Sequence, residues 1–267
     1  MLLSKFITER LKITSNTRGI KQTERTLFPK DRKELQEMIE DELEAQGPDA
    51  DLNHIDVSNV TDMNNLFAYK NVGNIKIDEW DVSNVTDTFG MFRECRNFNA
   101  DLSRWNVSKV EHMYAMFFDC LKFNSDLSTW DASNAITLAS VFYNCRKFNS
   151  DLSRWNVSGV ISLESTFYNC INFESDLSGW DVGKVTNFIS TFNNCYKFTS
   201  DLSKWNMSSA ANITGMFEGC KVFESDLSGW DLSDLRVGRV NKNSIFKGCP
   251  KMYDNAKLRP KTSRNKI

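Results

Sequence analysis

The sequence predicts an α/β solenoid of stacked repeats, with parallel strands on one face and short helices on the other. Three observations predict it. Trp80, Trp105, Trp130, Trp155, Trp180, Trp205 and Trp230 recur at a step of 25 residues. Six of the seven cysteines, Cys95, Cys120, Cys145, Cys170, Cys195 and Cys220, keep the same step. Inside each step the apolar spacing changes from two residues to three or four. A fixed period of roughly 20–50 residues marks a stacked array, because one unit cannot bury its faces alone.

Residues 101–125, DLSRWNVSKVEHMYAMFFDCLKFNS, show the expected unit. Trp105 and Val107 are two apart, the spacing of one strand face. From Val110 the apolar steps through Met113, Met116, Cys120 and Phe123 are three, three, four and three, which predicts a helical segment. Ser108 stands where the period switches and reads as its N-cap, with Glu111 completing a capping box. Ser83, Ser133, Ser158, Ser208 and Ser233 repeat the cap, and Gly183 is the exception. Asn124-Ser125-Asp126 is the return loop. Strands of successive units would pair in parallel, about 4.8 Å apart.

Four parts follow in chain order. Residues 1–26 form an N-terminal arm, weakly amphipathic through Leu2, Leu3, Phe6, Ile7, Leu11 and Ile13; it is either a loosely docked segment or a partner-binding helix. Residues 27–50 form a helical cap. Asp31 with Glu34 resembles a capping box, Leu35, Met38, Ile39 and Leu43 fall at helical spacing, and Gly47-Pro48 ends the run. An array end exposes core, so a polar-faced cap is required there. Residues 51–249 carry about eight 25-residue repeats. The first is degenerate, with Ile55 in the tryptophan position, and the last gains four residues near 235–240. Residues 250–267 form a basic tail, expected to be disordered.

Composition excludes several classes. Net charge is −2, so there is no bulk electrostatic case for nucleic acid. No apolar run reaches the roughly 18–20 residues of a membrane span. The start has only Leu2-Leu3 before Ser4 and Lys5, unlike a secretory signal, and this points to the cytoplasm. His54 and His112 are the only histidines and no CxxC exists, so no metal site is expected. A column of single cysteines reads as a small buried position in a reducing compartment. There is no phosphate-cradling glycine loop and no GxSxG, so neither a cofactor nor catalysis is expected.

The repeat pattern L-x-x-W-x-V-x-x-V-x-x-M-x-x-M-F-x-x-C-x-x-F resembles the leucine-rich repeat of the BspA-like bacterial surface proteins. FNADLSRWNVS (98–108) and WDVSNVT (80–86) match the tryptophan-bearing subtype. The resemblance covers about residues 51–249. It implies a right-handed leucine-rich-repeat-like solenoid, a binding role such as host adhesion, and surface display or secretion.

Two surfaces are candidates for that role. Before each tryptophan stand Glu79, Arg104, Thr129, Arg154, Gly179, Lys204 and Gly229; after it stand Asp81, Asn106, Asp131, Asn156, Asp181, Asn206 and Asp231. Basic residues thus fall diagonally between Asp residues. This is either a self-neutralising ladder or a polar surface that reads a partner through Arg104, Arg154, Lys204, Asp131 and Asp181. A second column, Asp101 to Asp226, either caps its own loops or takes calcium between rungs. Beside the core stripe, Tyr114, Phe118, Tyr143, Tyr168 and Tyr196 form an aromatic patch. It serves either helix packing or a protein partner, a second copy of the chain included. The expected function is a non-enzymatic protein–protein interaction module, adhesin-like or scaffold. A carbohydrate-binding surface is the alternative.

Overall fold

The computed structural model describes residues 23–232, 235 and 242–260. The expectations for residues 1–22 of the arm, the Ser233 cap, most of the inserted stretch near 235–240 and residues 261–267 of the tail lie outside the described residues.

The repeat contains neither the strand nor the helix that its spacing suggested. Among the described residues the α-helices are α1 (Arg32–Gln46), α2 (Lys242–Ile245) and α3 (Pro250–Asp254), all outside residues 51–232. Pairing between repeats consists of single parallel bridges. The α/β solenoid of strands and helices, and with it the leucine-rich-repeat-like fold, is therefore overturned.

Each 25-residue unit is instead a chain of β-turns. In residues 101–125, Trp105, Val110, Met116, Phe118, Cys120 and Phe123 each donate a backbone N–H to the carbonyl three residues back, at 2.9–3.2 Å. Such turns put residues i and i+3 on the inner side, which reproduces the three-residue steps that suggested a helix. A helix needs an unbroken right-handed run. Here Ala115 and Asp119 have φ of 54° and 61°, and the backbone turns left-handed twice within five residues. The same two columns are left-handed in the other repeats. They hold Asn65, Gly90, Ser140, Ser165, Ser190 and Gly215, and Tyr69, Glu94, Asn144, Asn169, Asn194 and Gly219. Most are the residue types that tolerate this region, namely glycine and short polar side chains.

The strand fails for a related reason. Asn106 Oδ1 accepts the Ser108 N–H at 3.1 Å, and Asp101 Oδ1 accepts the Ser103 N–H at 2.9 Å. These Asx turns bend the chain on both sides of Trp105. Ser108 is thus the donor of a turn closed by Asn106, not a helix cap.

Successive units nevertheless stack in register. Parallel bridges run Asp62, Asp87, His112, Thr137, Ser162, Asn187, Asn212, one residue per unit. Beyond the bridge, Thr88, Gly90, Phe92 and Glu94 donate N–H to the carbonyls of His112, Tyr114, Met116 and Phe118 at 2.7–2.9 Å. The left-handed residues curl the backbone between these bonds, so no continuous strand forms.

The core is a set of columns running through all units. Phe67, Phe92, Phe117, Phe142, Phe167, Phe192, Phe217 and Phe246 stack with ring centroids 5.2–5.8 Å apart. Trp105 and Trp130 stack at 6.5 Å. Each tryptophan donates its indole N–H to a carbonyl 28 residues earlier, as Trp130 does to Leu102 at 3.0 Å. The cysteines act alike: Cys145 Sγ donates to the Phe117 carbonyl at 3.0 Å. The buried polar groups of the core are thereby paired, as burial requires.

Both ends are covered. Asp31 Oδ1 accepts the Glu34 N–H at 2.9 Å, and Gly47, at φ 85°, closes α1 on the Leu43 carbonyl. Leu35 and Ile39 of α1 are fully buried on the first unit. Lys70 pairs with Glu40 at 2.6 Å and fastens the helix. At the other end Phe246 stacks on Phe217, and Leu258 accepts the Leu227 N–H at 2.8 Å. Residues 250–260 of the expected tail are thus partly structured: α3 buries Met252 and Leu258 packs on the core.

Candidate functional site

The polar candidates lie on an exposed surface but do not form the diagonal ladder. Asp131 Oδ1 accepts the Ser133 N–H at 3.0 Å and Asp181 Oδ1 accepts the Gly183 N–H at 3.1 Å. Among the described residues no ion pair within 4.0 Å joins Arg104, Arg154 or Lys204 to Asp81, Asp131 or Asp181. The alternation of Asp with Asn is explained locally: either side chain supplies the acceptor that the turn requires.

The second acidic column is likewise occupied by its own loops. Asp176 Oδ1 accepts the Ser178 N–H at 2.9 Å and the hydroxyl of Ser200, one unit on, at 3.0 Å. The backbone N–H of Ser128, Ser153, Ser178 and Ser203 holds the carboxyls of Asp126, Asp151, Asp176 and Asp201 below the usual range. Arg154 lowers Asp151, and Lys204 lowers Asp201, only as a lesser cause. Among the described residues no cluster of three metal-ligating side chains occurs. An open groove of 580 Å³ lies along this surface, lined by Glu174, Asp176, Ser178, Asp201 and Lys204.

The aromatic candidates come together. Phe118, Tyr143 and Tyr168 form one ladder, with ring centroids 4.3 and 4.6 Å apart and planes within 4°. All three are half-buried, so their rings are neither core nor free. Partial burial raises the Tyr143 phenol above its ordinary pKa. Arg93 extends the ladder, its guanidinium 5.2 Å from the Phe118 ring and 5.6 Å from that of Tyr69. Its ion pair with Glu94 is 3.9 Å long, too far for a hydrogen bond. Tyr114 stacks on Phe89 at 5.3 Å, and both are more than a third exposed. Tyr196 is exposed and lies under the Lys221 ammonium.

Sequence reasoning missed Phe89, Arg93, Tyr69, Ile136 and Ile161 as members of this surface. Phe89 and Arg93 were legible, since they hold the columns of Tyr114 and Phe118 one unit earlier. Ile136 directly precedes Thr137, which lines a shallow groove with Phe89, His112 and Tyr114. The cysteines lie apart from this surface, buried free thiols whose pKa burial pushes up, to about 12 for Cys95.

The family described as "Mycoplasma protein of unknown function, DUF285" matches residues 33–154 and, again, residues 136–257. The chain belongs to this family. The two matches overlap and together take in α1, every 25-residue unit and α3, so the DUF285 pattern is the repeat array itself. This corrects the resemblance to BspA-like leucine-rich repeats, along with the surface-protein role drawn from it. The residues that carried the resemblance, FNADLSRWNVS and WDVSNVT, build Asx turns and a tryptophan ladder here instead of strands. The adhesin-like or scaffold module and the carbohydrate-binding alternative were both built on that solenoid and fall with it. No curated protein matches the chain. Among the described residues no helix is long and apolar enough to cross a membrane.

Proposed function

We propose that this DUF285 protein works without catalysis, by holding a protein partner on the aromatic surface around Phe118, Tyr143 and Tyr168. The ladder itself carries the reading. The core ring columns are buried, with Phe92, Phe117 and Phe142 at 0 % exposure, whereas this one keeps solvent on its edges. Ring edges on a rigid backbone make contact area with little side-chain entropy to lose, and aromatic and Arg side chains are the usual anchors of protein interfaces. Tyr114 with Phe89 on one side and Tyr196 on the other widen the surface. The repetition of like groups supports the non-catalytic part, since catalysis draws unlike groups into one pocket. Free buried thiols suit a reducing compartment.

A photo-crosslinking amino acid at Tyr143, compared in native cells with the same group at Arg104, tests the proposal. Protein adducts from position 143 and few from 104 are expected. No adduct from 143, or equal yields from both, would remove the aromatic surface as the binding face.

A further inference from the structure

Read along the array, the ladder column is Ala68, Arg93, Phe118, Tyr143, Tyr168, Asn193, Glu218. It is apolar in the middle, basic toward one end and acidic toward the other. A surface patterned this way complements its own reverse. A two-fold axis across the stack lays the column antiparallel on itself, as an isologous interface demands.

We infer that the partner of the aromatic surface is a second copy of this chain, related by a two-fold axis that passes between the units of Tyr143 and Tyr168. The inference rests on the reading of that surface given above. The register follows from three columns. With the axis between those units, Tyr143 faces Tyr168 and Arg93 faces Glu218, twice over. In the column of Tyr114 the same axis sets Tyr114 against Ile189, and in the column of Ile136 it sets Ile136 against Ile161. An axis through Tyr143 would instead set Tyr114 against Glu164, Ile161 against Glu111 and Arg93 against Asn193. An axis through Tyr168 would set Phe118 against Glu218. Both alternatives put carboxylates on large apolar side chains and lose the Arg93–Glu218 pair, which costs desolvation without return, whereas the chosen axis sets only the small Ala139 against a carboxylate, that of Glu164.

Arg93 and Glu218 are poised for this exchange. Arg93 lies between two rings, and its pair with Glu94 is long, at 3.9 Å. Glu218 is held at the surface by Lys247 at 3.0 Å and keeps about a third of its side chain exposed. A second copy gives Arg93 a carboxylate and Glu218 a planar cation, the geometry guanidinium groups favour. The net charge of −2 puts little repulsion between copies.

Sedimentation velocity of the full chain across the micromolar range tests the pairing. A dimer that dissociates on dilution is expected. Arg93→Glu or Glu218→Arg should each weaken it about tenfold, and the double exchange Arg93→Glu/Glu218→Arg should restore it. Circular dichroism and melting temperature establish that each variant is folded. Should the charge variants not fold, disulfide trapping decides: the native cysteines are buried, so a mixture of Tyr143→Cys and Tyr168→Cys chains reports alone. A mixed disulfide in clear excess over both like pairs supports the register. Like pairs in equal yield would overturn it, as would a dimer indifferent to the charge exchanges. A chain monomeric at every concentration overturns self-pairing. If position 143 then captures a different protein, the aromatic surface stands without it; if it captures nothing, both readings fall.

Discussion

Two substitutions separate a chain of turns from a helix by the sign of their effect. Glu94 has φ of 58° and Asn169 has φ of 57°, at the same column of different units. A left-handed conformation costs an ordinary L-residue about 1–2 kcal/mol, and glycine almost nothing. Glu94→Gly removes that strain but loosens the unfolded chain, which takes back about 0.4–1 kcal/mol. The glutamate gives little in return, since its pair with Arg93 is 3.9 Å long. The net expectation is a gain of about 0.5–1 kcal/mol. Asn169→Ala puts an ordinary side chain where the short amide was tolerated and should lose about 1 kcal/mol. In a helix both signs reverse: glycine would cost about 1 kcal/mol, and alanine would be the best residue available. Urea midpoints with unchanged slope, or melting shifts of about 2–4 °C per kcal/mol, are large enough to read. The column also contains an internal limit. A Cβ at Gly219, φ 78°, would meet Asn194 Oδ1 at 2.1 Å, so only glycine fits that unit without rearrangement. If Glu94→Gly destabilised the protein and Asn169→Ala stabilised it, the turn-chain account of the repeat would be wrong.

Two further outcomes follow from the polar columns and the thiols. The carboxyls of Asp126, Asp151, Asp176 and Asp201 titrate lower in the fold than in the unfolded chain. Their contribution is present above the unfolded carboxylate pKa of about 3.9 and is lost as pH falls through the lower folded values. Melting temperature should therefore fall below about pH 4, and less steeply in an Asp151→Asn/Asp176→Asn chain. The cysteine thiols are raised by burial, to about 12 for Cys95, so their contribution is present below the unfolded thiol pKa and is lost as pH rises above it. A thiol reagent at neutral pH should label none of the cysteines in the native chain and all seven after urea unfolding. Rapid native labelling of even one would contradict the burial of that column.

The sequence made the period, the buried columns and α1 legible, because each depends on residue identity at a fixed step. Trp105, Cys120 and Phe123 are buried whether the unit is helical or turned. Backbone conformation was not legible from apolar spacing, because β-turns and helices both place residues i and i+3 together. The deciding signal was present elsewhere, in the recurrence of Asn144, Asn169 and Asn194 with Gly219, and of Ser140, Ser165 and Ser190 with Gly90 and Gly215. Columns of glycine and short polar residues at a four-residue offset call for left-handed φ, and no helix repeats it that often. The polar ladder misled for a similar reason. Asp131 and Arg104 were paired by charge, whereas the Asp side chain is committed to the Ser133 N–H two residues on.

The array supplies its own comparison between units, and this locates the surface that structure does not dictate. Where stacking imposes a demand, one residue type answers it in nearly every unit: tryptophan donates to the carbonyl 28 residues back in seven units, and cysteine does the same beside it in six. The Phe118 column accepts alanine, arginine, phenylalanine, tyrosine, asparagine and glutamate on the same backbone, with the same N–H···O bonds to its carbonyls. Stacking therefore asks nothing of that side chain. Yet its residues are not scattered: the three rings are consecutive, and the arginine and the glutamate lie to either side of them. The rings and Arg93 gain contacts with one another inside the monomer, but their half-exposed edges are left over, and that surplus is why the proposed partner is sought at Phe118, Tyr143 and Tyr168 and not along the uniform columns.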